Sequence, residues 1–202
     1  MADTDITITN GALARLGQSS IADFTTDNKS VICGAIYPKY INALLSMYPW
    51  RFARKKSGFL TQTTVPDNAF TLAYLVPADF LTLVHVYNSG DASARPIVAG
   101  YEIFGNNILT NETELYIDYN STVDEDDWPD WFQNFAMSAL ASVLAIPITE
   151  DDNKENFYRQ LTFGPPSLNG EGGIYKQAKG IDSRNQPHRP FRGQSLLAAR
   201  FK

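Results

Sequence analysis

Apolar residues recur at three- and four-residue steps along two stretches near the N-terminus, and this spacing predicts two amphipathic helices. The first helix runs from Asp5 to Leu16, with Thr4 or Asp5 as its N-cap and Gly17 ending it. The second runs from Asp27 to Met47. Pro38 lies inside the second helix and lacks the backbone N–H of a helix interior, so a kink or a break is expected there.

From residue 55 the helical period is lost and short runs of β-branched and aromatic residues alternate with turn formers. This pattern predicts an antiparallel β region of about four to six strands. The predicted runs are Phe59 to Thr64, Ala69 to Leu75, Leu81 to Tyr87, Pro96 to Tyr101, Ile108 to Thr110 and Leu115 to Tyr119.

Helical spacing returns after an acidic turn at residues 124–127. An apolar stripe over 128–144 predicts a third helix, which should end at Ile146-Pro147. A fourth helix is expected from Glu150 to Thr162, with Phe157 and Leu161 as its core contacts. A glycine- and proline-rich break then precedes a short helix from Ile174 to Ser183.

This order of elements predicts an α+β fold, in which a four-helix bundle is interrupted by an inserted antiparallel β domain and followed by an extended C-terminal arm. The expected parts are bundle helices in 1–54, the β domain in 55–122, further bundle helices and a hinge in 123–173, and the arm in 174–202. The expected bundle core is formed by Leu13, Leu16, Leu44, Trp50, Phe52, Trp131, Phe135 and Leu140.

Charge is distributed unevenly along the 202 residues, whose net charge is −5. Residues 174–202 hold seven bases against one acid, a net +6, so residues 1–173 carry −11. A basic arm on an acidic body indicates a separate partner for the arm, either nucleic acid or an acidic protein surface. Large apolar residues among the arm's bases favour binding along a partner over a plain disordered tail.

A second basic group, Arg51, Arg54, Lys55 and Lys56, follows the Trp50 position. It fits either a solvated face or a surface that meets DNA or an acidic neighbour. The acidic body argues against tight, sequence-specific DNA binding, because phosphate contacts supply most of that affinity.

The polar residues form no catalytic or metal-binding motif. The acidic runs 124–127 and 150–155 lack the glycine and ligand alternation of a calcium loop and are typical of helix starts. His85 stands between valines of a predicted strand, and no carboxylate is identifiable as the buried acid of a glycosidase pair. Cys33 has no second cysteine to pair with and is expected to be a small buried side chain. We expect no catalytic residue, cofactor or metal site.

No signal-peptide pattern and no run approaching a membrane span is apparent, so synthesis in a reducing cytoplasm and no membrane contact are expected.

Two N-terminal motifs, read in order, carry a resemblance to a known family. Residues 8–17 read ITNGALARLG, and residues 37–53 read YPKYINALLSMYPWRFA. They resemble the I-x-N-x-A-L-x-x-L-G helix and the following Y-P, L-L and P-W-x-F-A elements of the tail tubular protein A family of tailed bacteriophages. Weaker matches follow at residues 77–80, PADF, and at residues 135–145, FAMSALASVLA. The shared order extends over residues 5 to about 183, while the segment from Arg184 to Lys202 matches no family motif.

The resemblance implies a head-to-tail adaptor of the virion, made in the bacterial host cytoplasm. Such subunits form a ring, typically dodecameric, that joins the portal protein to the tail nozzle protein. Double-stranded DNA passes through the ring without sequence-specific binding. The arm would dock on the portal through Arg184, Arg189, Phe191, Arg192, Leu196, Leu197, Arg200 and Phe201.

Two other functions stay open at this point. One is a head-completion or connector protein of a long-tailed phage, against which the β insertion and the Pro-Trp motif speak. The other is a tail-associated hydrolase of glycan or peptidoglycan, which a glycan-release assay with Asp and Glu substitutions would identify.

Overall fold

A computed structural model describes residues 4–58, 60–63, 70–91, 96–97 and 99–184. Within these ranges the chain forms five α-helices and two three-stranded antiparallel sheets, an α+β fold. Two short 3-10 turns, Glu125–Asp127 and Pro166–Leu168, precede α3 and α5. The elements are α1 Asp5–Arg15, α2 Asn28–Ser46, β1 Arg54–Ser57, β2 Leu72–Leu75, β3 Phe80–Tyr87, β4 Tyr101–Phe104, β5 Asn107–Thr110, β6 Tyr116–Ser121, α3 Asp130–Thr149, α4 Asp152–Phe163 and α5 Gly173–Arg184.

Three helices begin at a side chain that accepts hydrogen bonds from the first turn. The Thr4 hydroxyl accepts from the Thr7 N–H at 3.3 Å, and the Asp27 carboxylate accepts from the Ser30 N–H at 2.7 Å. Asp151 caps α4 by accepting from two backbone N–H groups, at 2.9 and 3.2 Å. The acidic run at 150–155 therefore includes a helix cap, which satisfies N–H groups that have no partner within the helix.

Neither internal proline interrupts its helix, so no break occurs at Pro38 and the predicted end at Ile146-Pro147 is wrong. The helix α2 is continuous through Pro38, with Tyr37 and Ile41 buried on either side of it. The helix α3 continues through Pro147 to Thr149 and ends where Glu150 adopts a left-handed conformation, φ 53°. Packing of the flanking turns outweighs the one backbone hydrogen bond that each proline removes.

Within the described residues the predicted antiparallel β region contains six strands, which are divided between two sheets of three. Their orders are β1-β6-β3 and β2-β5-β4. The strand β1 was not predicted, because Arg54, Lys55 and Lys56 make it look like a solvated segment. The strand β1 lies at the edge of its sheet and pairs with β6 on one side. Charged side chains are tolerated on such an edge strand. The run expected at Pro96 to Tyr101 is also displaced, because β4 begins at Tyr101. The runs expected at 59–64 and 69–75 lie partly outside the described residues.

The helices before and after the β region pack into one hydrophobic core. Leu13, Leu16, Leu44, Trp50, Phe135 and Leu140 are fully buried there, and Phe52 and Trp131 are half-buried against it. A second, smaller core lies among the strands and includes Tyr74, Ile108 and Ile117. The principal core thus unites segments that are separated by the whole β region in the sequence.

The helix α3 lies at the centre of this core and is longer and more apolar than expected. By length and composition alone it could span a membrane, contrary to the prediction that no run approaches a span. Ten of its 20 residues are buried in the folded chain, and 56% of its most apolar window is covered. Burial between helices accounts for its apolar character.

The helix α4 presents a different face to the core from the one predicted. Phe157 is 61% exposed and Leu161 is 42% exposed, so neither is a core contact. Tyr158 packs against the core and its hydroxyl donates to the Arg15 carbonyl, while Thr162 is fully buried. The side chains that contact the core are therefore offset by one residue from the apolar stripe.

The end of α2 is joined to β6 by the buried side chain of Asn120. Its amide donates to the carbonyls of Leu45, at 2.9 Å, and Tyr48, at 2.6 Å. These carbonyls lie where a helix ends and has no further N–H groups of its own to offer. Asn120 therefore ties the β region to the helical core.

Replacing Asn120 with Ala should lower the free energy of unfolding by about 1–3 kcal/mol. The substitution removes the Asn120 donor from the Leu45 carbonyl and one of two donors from the Tyr48 carbonyl, which also accepts from the Trp50 N–H at 2.7 Å. Urea unfolding followed by far-UV circular dichroism measures this change. Asn42→Ala is the matched control, since Asn42 is an exposed asparagine on α2. Its effect should stay within about 0.5 kcal/mol. Equal effects of the two substitutions would contradict the role assigned to Asn120.

Candidate functional site

The helix α5, from which the C-terminal arm continues, is fastened to the core by aromatic and polar contacts. Tyr175 is buried, stacks on Phe135 with ring centroids 5.4 Å apart, and donates its hydroxyl to the Met47 carbonyl at 3.2 Å. Trp50 contacts Tyr175 edge-on at 6.1 Å. The root of the arm is therefore held in a fixed position on the body.

Asp182 fixes the last turn of α5. Its carboxylate is 3% exposed and accepts a hydrogen bond from the Arg51 backbone N–H at 3.2 Å. Burial raises the pKa of Asp182, and the positive charges of Arg51 and Arg54 oppose that rise only in part. Arg184, the one predicted arm residue within the described part of the chain, follows two residues later.

The four bases of the segment 51–56 do not form a single surface. Strand β1 alternates its side chains, so Lys55 points away from Arg54 and Lys56. Lys55 pairs with Asp79 at 2.6 Å, and this hydrogen bond lowers the pKa of the Asp79 carboxyl. Tyr119 donates to the other Asp79 oxygen at 3.0 Å, and burial followed by this bond raises the Tyr119 pKa to about 12.

Arg51, Arg54 and Lys56 share a surface cleft of about 340 Å³ with His85, Tyr87 and Asp118. Asp118 is 5% exposed and accepts from the Tyr87 hydroxyl at 3.1 Å. Asp118 and Asp182 are both buried, although no carboxylate could be identified as a buried acid from the sequence. The sequence shows no sign of either, because each buried carboxylate is covered by residues distant along the chain.

Glu125, in the acidic run 124–127, links α2 to the segment that precedes α3. Glu125 accepts a hydrogen bond of 2.7 Å from the Tyr37 hydroxyl. Asp124 and Glu125 face a cleft of about 360 Å³ beside Pro38. Within the residues that the structure describes, no three His, Cys, Asp or Glu side chains are grouped so that they could hold a metal ion.

Cys33 and His85, which were considered as a nucleophile and a base, both lie within packed secondary structure. Cys33 is buried in α2, and burial raises its thiol pKa, which disfavours the reactive thiolate. His85 is half-buried in β3 with its ring nitrogen Nδ1 against the Val84 carbonyl. His188 and the arm residues Arg189, Phe191, Arg192, Leu196, Leu197, Arg200 and Phe201 lie outside the described residues.

Large exposed apolar side chains are grouped at two places that the sequence did not indicate as exposed. The hairpin of β4 and β5 exposes Ile103 and Phe104, with Leu75 on the neighbouring strand β2. The helix α4 and the loop after it expose Phe157, Leu161 and Leu168. Exposed apolar side chains grouped in this way are typical of surfaces that contact another protein.

No protein-family model matches this sequence, and no curated protein matches it.

Asp182→Asn should remove one source of pH dependence from the stability of the chain. A buried carboxyl with a raised pKa binds its proton more tightly when folded, so stability falls as pH rises from the unfolded to the folded pKa. Asn keeps an acceptor for the Arg51 N–H and cannot ionise. The variant should therefore match the wild type below about pH 4 and be at least as stable at pH 7.

Thermal or urea unfolding across pH 3.5–7.5 measures the difference between the two proteins. Asp182→Ala serves as the contrasting variant, because it also removes the acceptor and should destabilise at every pH by about 1–3 kcal/mol. A wild type that gains stability over Asp182→Asn as pH rises would contradict the assignment.

Proposed function

We propose that this chain is a structural subunit of a bacteriophage head-to-tail adaptor, a ring that joins the portal to the tail nozzle and surrounds the exiting DNA. In this proposal α1, α2, α3 and α4 form a four-helix bundle, and the strands form a domain inserted into it. The role is architectural, with no catalytic step. The observation that carries the proposal is that the residues of the family-like motifs meet in one core.

The apolar motif positions come together although they are far apart in sequence. The segment 8–17 contributes Ile8, Ala12, Leu13 and Leu16. The segment 37–53 contributes Tyr37, Leu44, Leu45, Trp50 and Ala53. The segment 135–145 contributes Phe135, Ala136, Ala139, Leu140, Leu144 and Ala145. All of them are buried in the same cluster. A chance match of short motifs would not require the matched positions to contact one another, so the convergence supports a common fold.

The polar motif positions also have specific structural tasks. Asn10 of the first motif donates to the Ile21 carbonyl at 2.9 Å and accepts from the Ile21 N–H at 2.8 Å. This pair of bonds holds the loop between α1 and α2. In the second motif, Tyr37 binds Glu125. These contacts explain why Asn and Tyr, rather than any apolar residue, stand at those positions.

Charge supports a channel role for the body and a docking role for the arm. The body of residues 1–173 is strongly acidic, and such a surface repels the DNA backbone and lets it slide. The segment that follows α5 is basic and starts from a firmly anchored helix. A firm root with a basic, partly apolar continuation is suited to an extended contact along a neighbouring protein.

Deleting residues 185–202 should leave the fold intact and abolish binding to the portal protein. The expectation follows because the described core, including Asp182 and Tyr175, is complete at Arg184. Far-UV circular dichroism and urea unfolding report the fold, and pull-down or surface plasmon resonance with the portal encoded beside this chain reports binding.

Two full-length variants separate the contributions within the arm. Phe191→Ser with Phe201→Ser should weaken portal binding at all salt concentrations, because it removes apolar anchors. Arg189→Gln with Arg192→Gln should reduce the salt dependence of binding, because it removes screened charges. Portal binding that survives the deletion would assign docking to another surface.

Electron microscopy of this chain mixed with its portal tests the function itself. A ring added beneath the portal, with density for residues 185–202 along portal subunits, is the expected result. Intact portals with no added ring, at saturating concentrations of a folded chain, would reject the adaptor role.

A further inference from the structure

The β4–β5 hairpin carries an apolar protrusion. Its register with β2 places Leu75, Asn107 and Phe104 side by side at the end of the sheet. Phe104 is 69% exposed and Leu75 is 48% exposed, and both lie on the face opposite Tyr74 and Ile108, which belong to the core. Glu102, two residues before Phe104, shares that face and is exposed. We call Leu75, Phe104 and Glu102 the hairpin knob.

The hairpin projects these side chains because its turn is tight and its inner strand is well packed. Only Gly105 and Asn106 separate the two strands, and Gly105 has a φ of +58°, which favours glycine. On β5, Ile108, Leu109 and Thr110 are all buried. The paired strand β4 therefore stands on a rigid support, although its own residues 102–104 are exposed.

An apolar cleft lies on a different part of the chain, between the end of α2 and the loop after α4. It has a volume of about 420 Å³, and its walls are formed almost entirely by apolar atoms. Met47, Phe163, Pro165 and Pro166 form these walls, and Arg159 lies at the rim. Met47 is 45% exposed there. We call this feature the α4 cleft.

The knob protrudes and is largely apolar, the cleft is concave and apolar, and each has one charged residue of opposite sign, Glu102 on the knob and Arg159 at the cleft rim. A protruding phenylalanine with a leucine beside it matches a concave apolar cleft of this volume. Residues 99–118, which include the hairpin, hold the acids Glu102, Glu112, Glu114 and Asp118 and no lysine or arginine. The cleft rim carries the guanidinium of Arg159, which is half exposed and binds Glu155 and Asn156 of its own helix.

Further apolar surface adjoins the cleft. Gln160 lines it and is a helical neighbour of Phe157 and Leu161, the exposed stripe of α4. Contact with the knob would therefore be extended by this stripe, which is otherwise left in water. The stripe has no role in the core of its own chain.

We propose that the hairpin knob of one copy inserts into the α4 cleft of the next copy, with Glu102 facing Arg159 across the contact. Because the two surfaces differ, the contact is heterologous and repeats from copy to copy until a ring closes. The inference rests on the proposed ring and identifies the surfaces that would build it. It also accounts for exposed apolar residues that the fold of a single chain does not use.

Disulfide trapping between full-length chains tests this contact. A Phe104→Cys chain is mixed with a Met47→Cys chain under mild oxidation, and Cys33 remains in both because it is buried. Covalent dimer joined through positions 104 and 47 should exceed, by about tenfold or more, the dimer formed in the control mixture of Phe104→Cys with Val31→Cys. Val31 is the matched control because it is 52% exposed and lies on neither surface.

Mixing assembly-deficient variants tests the direction of the contact. Phe104→Asp damages the knob and Met47→Glu damages the cleft, so each should weaken self-association by about tenfold or more in sedimentation velocity, whereas Val31→Asp should not. An equimolar mixture of the two damaged chains still contains one intact knob and one intact cleft. It should form a pair and grow no further.

Several results would overturn the proposal. One is trapping no stronger than in the control mixture, and another is dimer joined through Phe104→Cys in both copies. A third is a chain carrying Met47→Cys and Phe191→Cys that closes on itself in preference, which would assign the cleft to the chain's own arm. Rings that form beneath the portal without trapping would leave the adaptor role standing and remove this contact, while trapping without portal rings would do the reverse.

Discussion

The carbonyl end of α2 is the place on which the rest of the structure depends. A helix leaves its last carbonyls without internal donors, and burial of such groups is unfavourable unless other donors reach them. Here the Trp50 indole donates to the Leu44 carbonyl at 3.0 Å, Asn120 donates to the two carbonyls on either side of the final turn, and Tyr175 donates to the Met47 carbonyl. These donors come from the following turn, from β6 and from α5, so one helix end joins three segments that are distant from one another in the sequence.

Trp50 also makes apolar contacts at this end of α2. Its ring lies within 6.4 Å, centroid to centroid, of the six rings of Tyr48, Phe52, Trp131, Phe132, Phe135 and Tyr175. The indole can be fully buried because its N–H has a partner, and this condition is what permits tryptophan in a core. The same residue therefore satisfies a polar group and fills the space between α3 and α5.

Elements that depend on local periodicity could be predicted, and those that depend on distant partners could not. The apolar spacing of α1, α2 and α3 identified these helices, and Trp50 and Phe135 are buried as their surroundings in the sequence indicate. In α4 the period was correct, but the face was wrong, because the two hydroxyl-bearing residues Tyr158 and Thr162 take the buried side. The buried polar residues could not be predicted for the same reason. Asn120 and Asp182 look like polar surface residues in the sequence, because their partners lie 75 and 131 positions away.

The exposed apolar face of α4 has a physical consequence for the folded chain. The two hydrophobic cores form without Phe157, Leu161 or Phe104, so these side chains contribute little to folding while they remain in water. Exposed apolar area of this kind lowers solubility unless another surface covers it. A subunit that assembles after folding needs this separation, because residues that drive association must stay available once the core is complete. The fold keeps the two sets apart, with the core side chains buried between the helices and the uncovered apolar side chains on the hairpin, on α4 and at Met47.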